Sequence, residues 1–255
     1  MNENASLRKE IGFKEALSIA IGQCIGTGIM AMTGQAIGYT GRGVVFAFII
    51  AAFLTIMLYF PTAVMGSTLP ATGGAYMYSS RLLSPRWGIL YVLIFLTYNV
   101  TLSMYAISFA DYMQSLIPDI PFKLVAVGLL TLFYVINLVG IKSAAMVQKI
   151  MVIVLLSAFA LFIVYGIPQV DISGFTADNV APNGIVGLMT ASALMTFAVS
   201  GGNVIANMGG EMKNPGRDIP VCMILATVIV AIFYSFVGLV ASVQLSDYQY
   251  FWKSG

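Results

Sequence analysis

Gly22-Gln23-Cys24-Ile25-Gly26-Thr27-Gly28 interrupts an apolar run extending from about Gly12 to Gly38, and Ser200-Gly201-Gly202-Asn203 interrupts another, from about Ile185 to Met208. Hydrocarbon offers no partner to freed backbone N–H and C=O groups, so irregular backbone at membrane depth persists only inside protein or along a cavity. Glycine-interrupted spans at matching positions of two repeats point to the binding site of a transporter. The two breaks are therefore read together as the solute site of a carrier.

Outward from the breaks, the chain is 59% apolar and only 9% charged, with mean hydropathy +0.93. A soluble domain carries about a quarter charged residues. Charges divide the chain into seven uncharged stretches, within Ala16–Gly41, Gly43–Ser80, Trp87–Ala110, Leu124–Ile141, Ile150–Val170, Asn179–Gly210 and Ile219–Ser246. Each is long enough for a span of about 20 residues. The expected fold is an all-α integral membrane protein with seven transmembrane helices, of which helices 1 and 6 are broken. Span two is expected over Val44–Thr68, span three over Trp87–Leu116, span four up to Gly140, and span five from Met146 to Gly166. A short surface helix is expected over Ser79–Pro85. Asp218 is placed to cap span seven, with Pro220 in its first turn. The broken spans are five apart, so they cross in opposite directions, the pattern of a five-helix inverted repeat. Residues 1–11 then form a cytoplasmic N-terminal tail, 12–167 the first five-helix repeat, 168–183 an outer loop, and 184–255 the start of the second repeat. Tyr248, Tyr250, Phe251 and Trp252 read as an interfacial aromatic belt.

Orientation follows from the basic residues. With the N-terminus inside, the cytoplasmic loops hold Arg8, Lys9, Lys14, Arg81, Arg86, Lys142, Lys149, Lys213 and Arg217, and the outer loops only Arg42, Lys123 and Lys253. A net charge of +2 gives no reason to expect nucleic acid. The chain has no histidine, and Cys24 and Cys222 lie in apolar spans, so neither a metal site nor a cofactor is expected. No acidic pair lies at depth to support an intramembrane enzyme. Asp111, near the outer end of span three, reads as interfacial.

The first break supplies Ile25, Gly26, Thr27, Gly28 and Ile29. Its glycines let other groups approach the main chain, and the half-helix starting near Ile29 offers free N–H groups and a positive dipole end to a carboxylate. Gly22 and Gly26 also have the GxxxG spacing of a packing motif. The second break supplies Ala198, Ser200, Gly201, Gly202 and Asn203. The half-helix ending near Val199 leaves carbonyl oxygens which, with Ser200 Oγ and the Asn203 amide, suit an ammonium group. Phe197 is positioned to cover the solute, and Tyr98 and Asn99 to line the pocket from span three. Asn99 is expected to face the bundle, since an amide in lipid is costly. Neither break carries a charged side chain, so the expected solute is a zwitterionic, uncharged-side-chain amino acid.

Three motifs resemble the amino acid permeases of the amino acid–polyamine–organocation superfamily. Gly26-Thr27-Gly28-Ile29 is similar to that family's unwound first helix. Pro70-Ala71-Thr72-Gly73-Gly74-Ala75-Tyr76 is similar to the loop after its second helix. Gly210-Glu211-Met212-Lys213-Asn214-Pro215-Gly216-Arg217-Asp218-Ile219-Pro220 is similar to its sixth-to-seventh junction. The resemblance implies a partial leucine-transporter-like five-plus-five fold in the plasma membrane, with solute held between helices one, three, six and eight. It also implies alternating access coupled to protons or to exchange. Glu211, Lys213 and Arg217 become candidates for a cytoplasmic gate. Family members have about a dozen spans, so the chain is expected to be part of a longer permease, or to work with a second chain or as a homodimer. Where some relatives place a lysine in helix five and a glutamate after the sixth-helix glycine, this chain has Leu155 and Asn203, so no residue is assigned to proton coupling. The rival expectations are a seven-helix receptor or photoreceptor, and a channel-type membrane subunit. The inside placement of the N-terminus and the lack of a lysine in span seven weigh against a photoreceptor.

Overall fold

A computed structural model describes residues 9–26, 28–170 and 176–244. The helices are α1 (Phe13–Cys24), α2 (Gly28–Thr40), α3 (Val44–Thr68), α4 (Gly74–Tyr78), α5 (Pro85–Asn99), α6 (Thr101–Leu116), α7 (Phe122–Val139), α8 (Ile141–Gly166), α9 (Ala177–Val180), α10 (Gly184–Val199) and α11 (Pro215–Gln244). A 3-10 turn, Gly202–Asn207, follows α10. Among the described residues six stretches are long and apolar enough to cross a membrane. α1 and α2, the halves of the first broken span, are each too short to do so alone.

The buried core lies where α1, α2, α3, α10 and α11 pack together. Without a hydrophobic force between helices in lipid, close approach depends on small residues. α3 presents Ala47, Ala51 and Ala52 and α11 presents Ala226 and Ala231, all buried. A Cβ added at Gly238 would stand 3.0 Å from the Phe48 ring. Tyr234 is fully buried there, with edge-on contacts to Phe48 at 5.6 Å and Phe159 at 6.1 Å between ring centroids. α5, α6 and α7 lie outside this core, and α7 buries none of its residues.

Contacts at the two ends of the bundle are specific. At one end the N–H of Ile11 bonds the Glu211 carbonyl at 3.0 Å, and the N–H of Lys213 bonds the Ile11 carbonyl at 2.9 Å, a parallel bridge. Ile11 is buried, so it belongs to the packed body and not to a solvated tail. At the same end, the loop before α4 docks on the second broken span. Gly73 N–H bonds the Asn207 carbonyl at 2.8 Å, and Ala75 N–H bonds Asn207 Oδ1 at 3.2 Å. At the other end the Asn183 amide bonds the Tyr39 carbonyl at 3.1 Å.

Gly74 makes the loop docking possible. A Cβ there would meet the Ala206 carbonyl oxygen at 2.5 Å and its carbon at 3.1 Å, whereas one at Gly34 meets nothing within 4 Å. Gly74→Ala is expected to lower the thermal midpoint of the purified protein by about 5 °C. Gly34→Ala, mid-helix, should hold or raise it. Equal midpoints for the two variants would disprove the contact.

Several boundaries differ from the sequence expectations. Span three divides at Val100, the junction of α5 and α6. The short helix begins at Gly74, not Ser79, because Gly73 turns the chain with φ +72°. It continues as a π-turn to Leu83. Span five begins at Ile141, not Met146. Gly140, at φ +125°, ends α7 and α8 starts at the next residue. α11 begins at Pro215, so Asp218 lies inside its first turn, its N–H bonded to the Asn214 carbonyl at 2.9 Å, and Pro220 falls in the second turn. Asn214 therefore holds the position expected of Asp218. The half-helix after the first break starts at Gly28, one residue before Ile29. Thr27, Asp171 and the aromatic residues from Tyr248 to Trp252 lie outside the described residues.

Candidate solute site

The two breaks lie against each other. α1 stops at Cys24 and α10 at Val199. Ser200 is extended, with ψ 159°, and Gly201 adopts φ +136°. A Cβ at Gly201 would collide with the Gln23 carbonyl oxygen and stand 2.6 Å from its carbon. Backbone thus rests directly on backbone, and only glycine fits. A Cβ at Gly28 would likewise stand 3.1 Å from Ala198 Cα.

The unwound segments leave polar groups that need partners, and tyrosines from neighbouring helices supply two. Gly201 N–H donates to the Tyr59 hydroxyl of α3 at 2.5 Å. The Tyr234 hydroxyl of α11 donates to the Cys24 carbonyl at 3.5 Å, an oxygen that also accepts from Gly26 N–H at 3.0 Å. Ser200 Oγ donates back to the Phe197 carbonyl at 2.8 Å, which leaves its lone pairs as acceptors.

Between the breaks lies a cavity of about 450 Å³. Gln23, Cys24, Gly26 and Gly28 line it from the first break, and Ser200, Gly201, Asn203 and Asn207 from the second. Its walls are largely aromatic: Tyr59, Tyr91, Phe95, Tyr98, Tyr105 and Phe197. No charged side chain is among the residues lining it. The first turn of α2 opens beside it, with N–H groups that no intrahelical carbonyl can satisfy. The arrangement offers donors at one break, acceptors at the other, and apolar rings between.

Of the residues expected from sequence, Gly26, Gly28, Tyr98, Phe197, Ser200, Gly201 and Asn203 come together around this cavity. Ile25, Ile29, Ala198 and Gly202 do not line it; they are buried packing at the breaks. Asn99 is not brought to it either. Its amide donates to the Phe95 carbonyl at 2.7 Å, one turn back along its own helix, which satisfies it without the bundle. Sequence reading missed Gln23, Tyr59, Tyr91, Tyr105 and Asn207. The available signal was a polar-tipped ring or an amide inside an apolar span, a group that needs a partner.

The three gate candidates are not joined by ion pairs among the described residues. Glu211 Oε2 is buried with no hydrogen-bond partner among the described residues, and Lys213 and Arg217 are exposed. Glu211 and Lys213 act here through their backbones, which hold Ile11.

The model of the family described as amino acid permease matches residues 11–249. The chain is 30% identical over 244 residues to the serine/threonine exchanger SteT of Bacillus subtilis, covering 92% of this chain and 55% of the relative. It is 28% identical to the branched-chain amino acid permease BcaP of the same organism, over 90% of this chain and 53% of the relative. It is also 28% identical to the methylthioribose transporter of that organism, over 94% of this chain and 56% of the relative. The chain thus spans about half the length of the curated relatives it matches. These relatives carry transporter names, which leaves the receptor and channel expectations without support.

Proposed function

This chain belongs to the amino acid permease family, and from that membership we propose that it moves amino acids across the plasma membrane by alternating access. It is a multi-pass membrane protein. The observation that carries the proposal is the meeting of two unwound backbones at an uncharged, aromatic-walled cavity. A zwitterion needs an anion site and a cation site. The free N–H groups of α2 take the carboxylate. Ser200 Oγ and the Asn203 amide take the ammonium. An uncharged wall favours a neutral side chain, since a buried unpaired charge is penalised heavily.

In this reading the N-terminus is cytoplasmic, as the basic residues indicate. The body formed by α1, α2, α3, α10 and α11 rocks against α5–α7, which pack less closely on it. The two broken spans belong to the two halves of an inverted repeat, completed by further polypeptide, a second chain or a second copy. Transport is coupled to protons or to exchange.

Counterflow of radiolabelled neutral L-amino acids into vesicles carrying the protein tests this. Uptake is expected to saturate and to prefer the L-isomer. Among the described residues, leaving out its chain neighbours, a Cβ at Gly26 has only the Tyr105 hydroxyl within 4 Å, at 3.9 Å. Gly26→Leu therefore leaves the fold standing and fills the site, and is expected to reduce uptake at least about threefold, mainly through KM. Non-saturable flux, or wild-type uptake by Gly26→Leu, would rule the site out.

A further inference from the structure

A second polar cavity, of about 370 Å³, lies beside the first at the end of the bundle that holds the Ile11 bridge. It is a half-open recess lined by α1, the end of α7, the start of α8, and Met208 after the second break. Three carboxamides line it: Gln23, Asn137 and Gln148. Gln23 lines both cavities. Amides placed within apolar helices are unfavourable unless something answers their hydrogen bonds. Asn137 has a local answer, its amide donating to the Phe133 carbonyl at 2.8 Å. The side-chain amides of Gln23 and Gln148 have no hydrogen-bond partner among the described residues.

Gly22 accounts for the position of Gln148. A Cβ at Gly22 would collide with Gln148 Nε2 and stand 2.8 Å from its amide carbon. The glycine that sequence spacing reads as a helix-packing element therefore makes room for one amide to lie across α1. The volume is within the range of small-molecule sites. The lining offers both donors and acceptors and no charge, the same chemistry as the central cavity.

We infer that this chamber is a second binding station for the transported neutral amino acid, entered from the central site past Gln23. This rests on the reading of the central cavity as the solute site. The solute leaves one set of uncharged hydrogen-bonding groups for another, with the Gln23 amide in contact at both.

Equilibrium binding of the tritiated neutral L-amino acids to the purified protein in nanodiscs tests the inference through stoichiometry. The wild type is expected to bind two molecules per chain, in two affinity classes. Asn137→Leu combined with Gln148→Met, both close in size to the native side chains, is expected to bind one. Retention of that first class, with a monodisperse elution profile, shows that the double variant is folded. A single class in the wild type that the double variant leaves intact overturns the second station and leaves the central site standing. A single class lost in the double variant but kept in Asn203→Leu supports the chamber and overturns the central site. No saturable binding of any neutral amino acid overturns both.

Discussion

Gly201→Ala should bring amino acid uptake to background while Gly202→Ala keeps most of it. The two glycines are neighbours in one break, but their surroundings differ. Gly201 holds φ +136°, and a Cβ there would collide with the Gln23 carbonyl. The dihedral alone costs about 1–3 kcal/mol for a residue with a side chain. The clash adds to this, because the neighbour is main chain and has no rotamer to change. The two breaks must then separate, and the site between them opens. A Cβ at Gly202 would find its nearest neighbour, Cys24 Sγ, at 3.5 Å, an ordinary contact. The measurement is initial-rate uptake normalised to membrane protein level. Comparable rates for both alanine variants would mean that the breaks do not bear on each other as described.

Tyr59→Phe is expected to reduce uptake by about tenfold and to lower thermal stability. The hydroxyl it removes accepts the Gly201 N–H, a donor freed by unwinding and partly buried. Leaving such a donor unanswered costs about 1–3 kcal/mol. Tyr234→Phe is the matched control. Its bond to the Cys24 carbonyl is long, at 3.5 Å, and that carbonyl keeps the Gly26 N–H at 3.0 Å. Uptake by Tyr234→Phe should fall by less than about threefold. If the two substitutions act alike, hydrogen bonding to the break is not what Tyr59 provides.

The breaks were legible because glycine clusters inside apolar runs leave main-chain groups that lipid cannot satisfy. Span two was read with its observed ends, Val44 and Thr68, since Gly41-Arg42-Gly43 and Leu69-Pro70 bound it with turn residues and a charge. The start of span five was read five residues late. Lys142 and Lys149 look like loop in the sequence, yet both lie within α8, a helix that extends beyond its uncharged stretch. Proline misled at span seven. Pro220 reads in the sequence as first turn behind an Asp218 cap, while Pro215 holds the first helical position, where its missing N–H costs nothing. Asn99 was expected to turn inward because amides are costly in lipid, but a bond to the carbonyl four residues back answers that cost locally. Tyr59 and Tyr234 were illegible as partners of the breaks. Apolar periodicity says which face of a helix is buried. It does not say which ring, 142 residues from Gly201 in one case and 210 from Cys24 in the other, reaches a given main-chain atom.

The bridge between Ile11 and the segment 211–213 sets a threshold for motion. Ile11 lies two residues before the start of α1, and Lys213 two residues before the start of α11, so the near ends of these helices are stitched by peptide and not only by side chains. Tilting α1 away from α11 requires both bonds to part together, at about 1 kcal/mol each. The amino-terminal half-helix is thereby latched to α11 by main chain, and releasing it must also part the side-chain packing between the two helices.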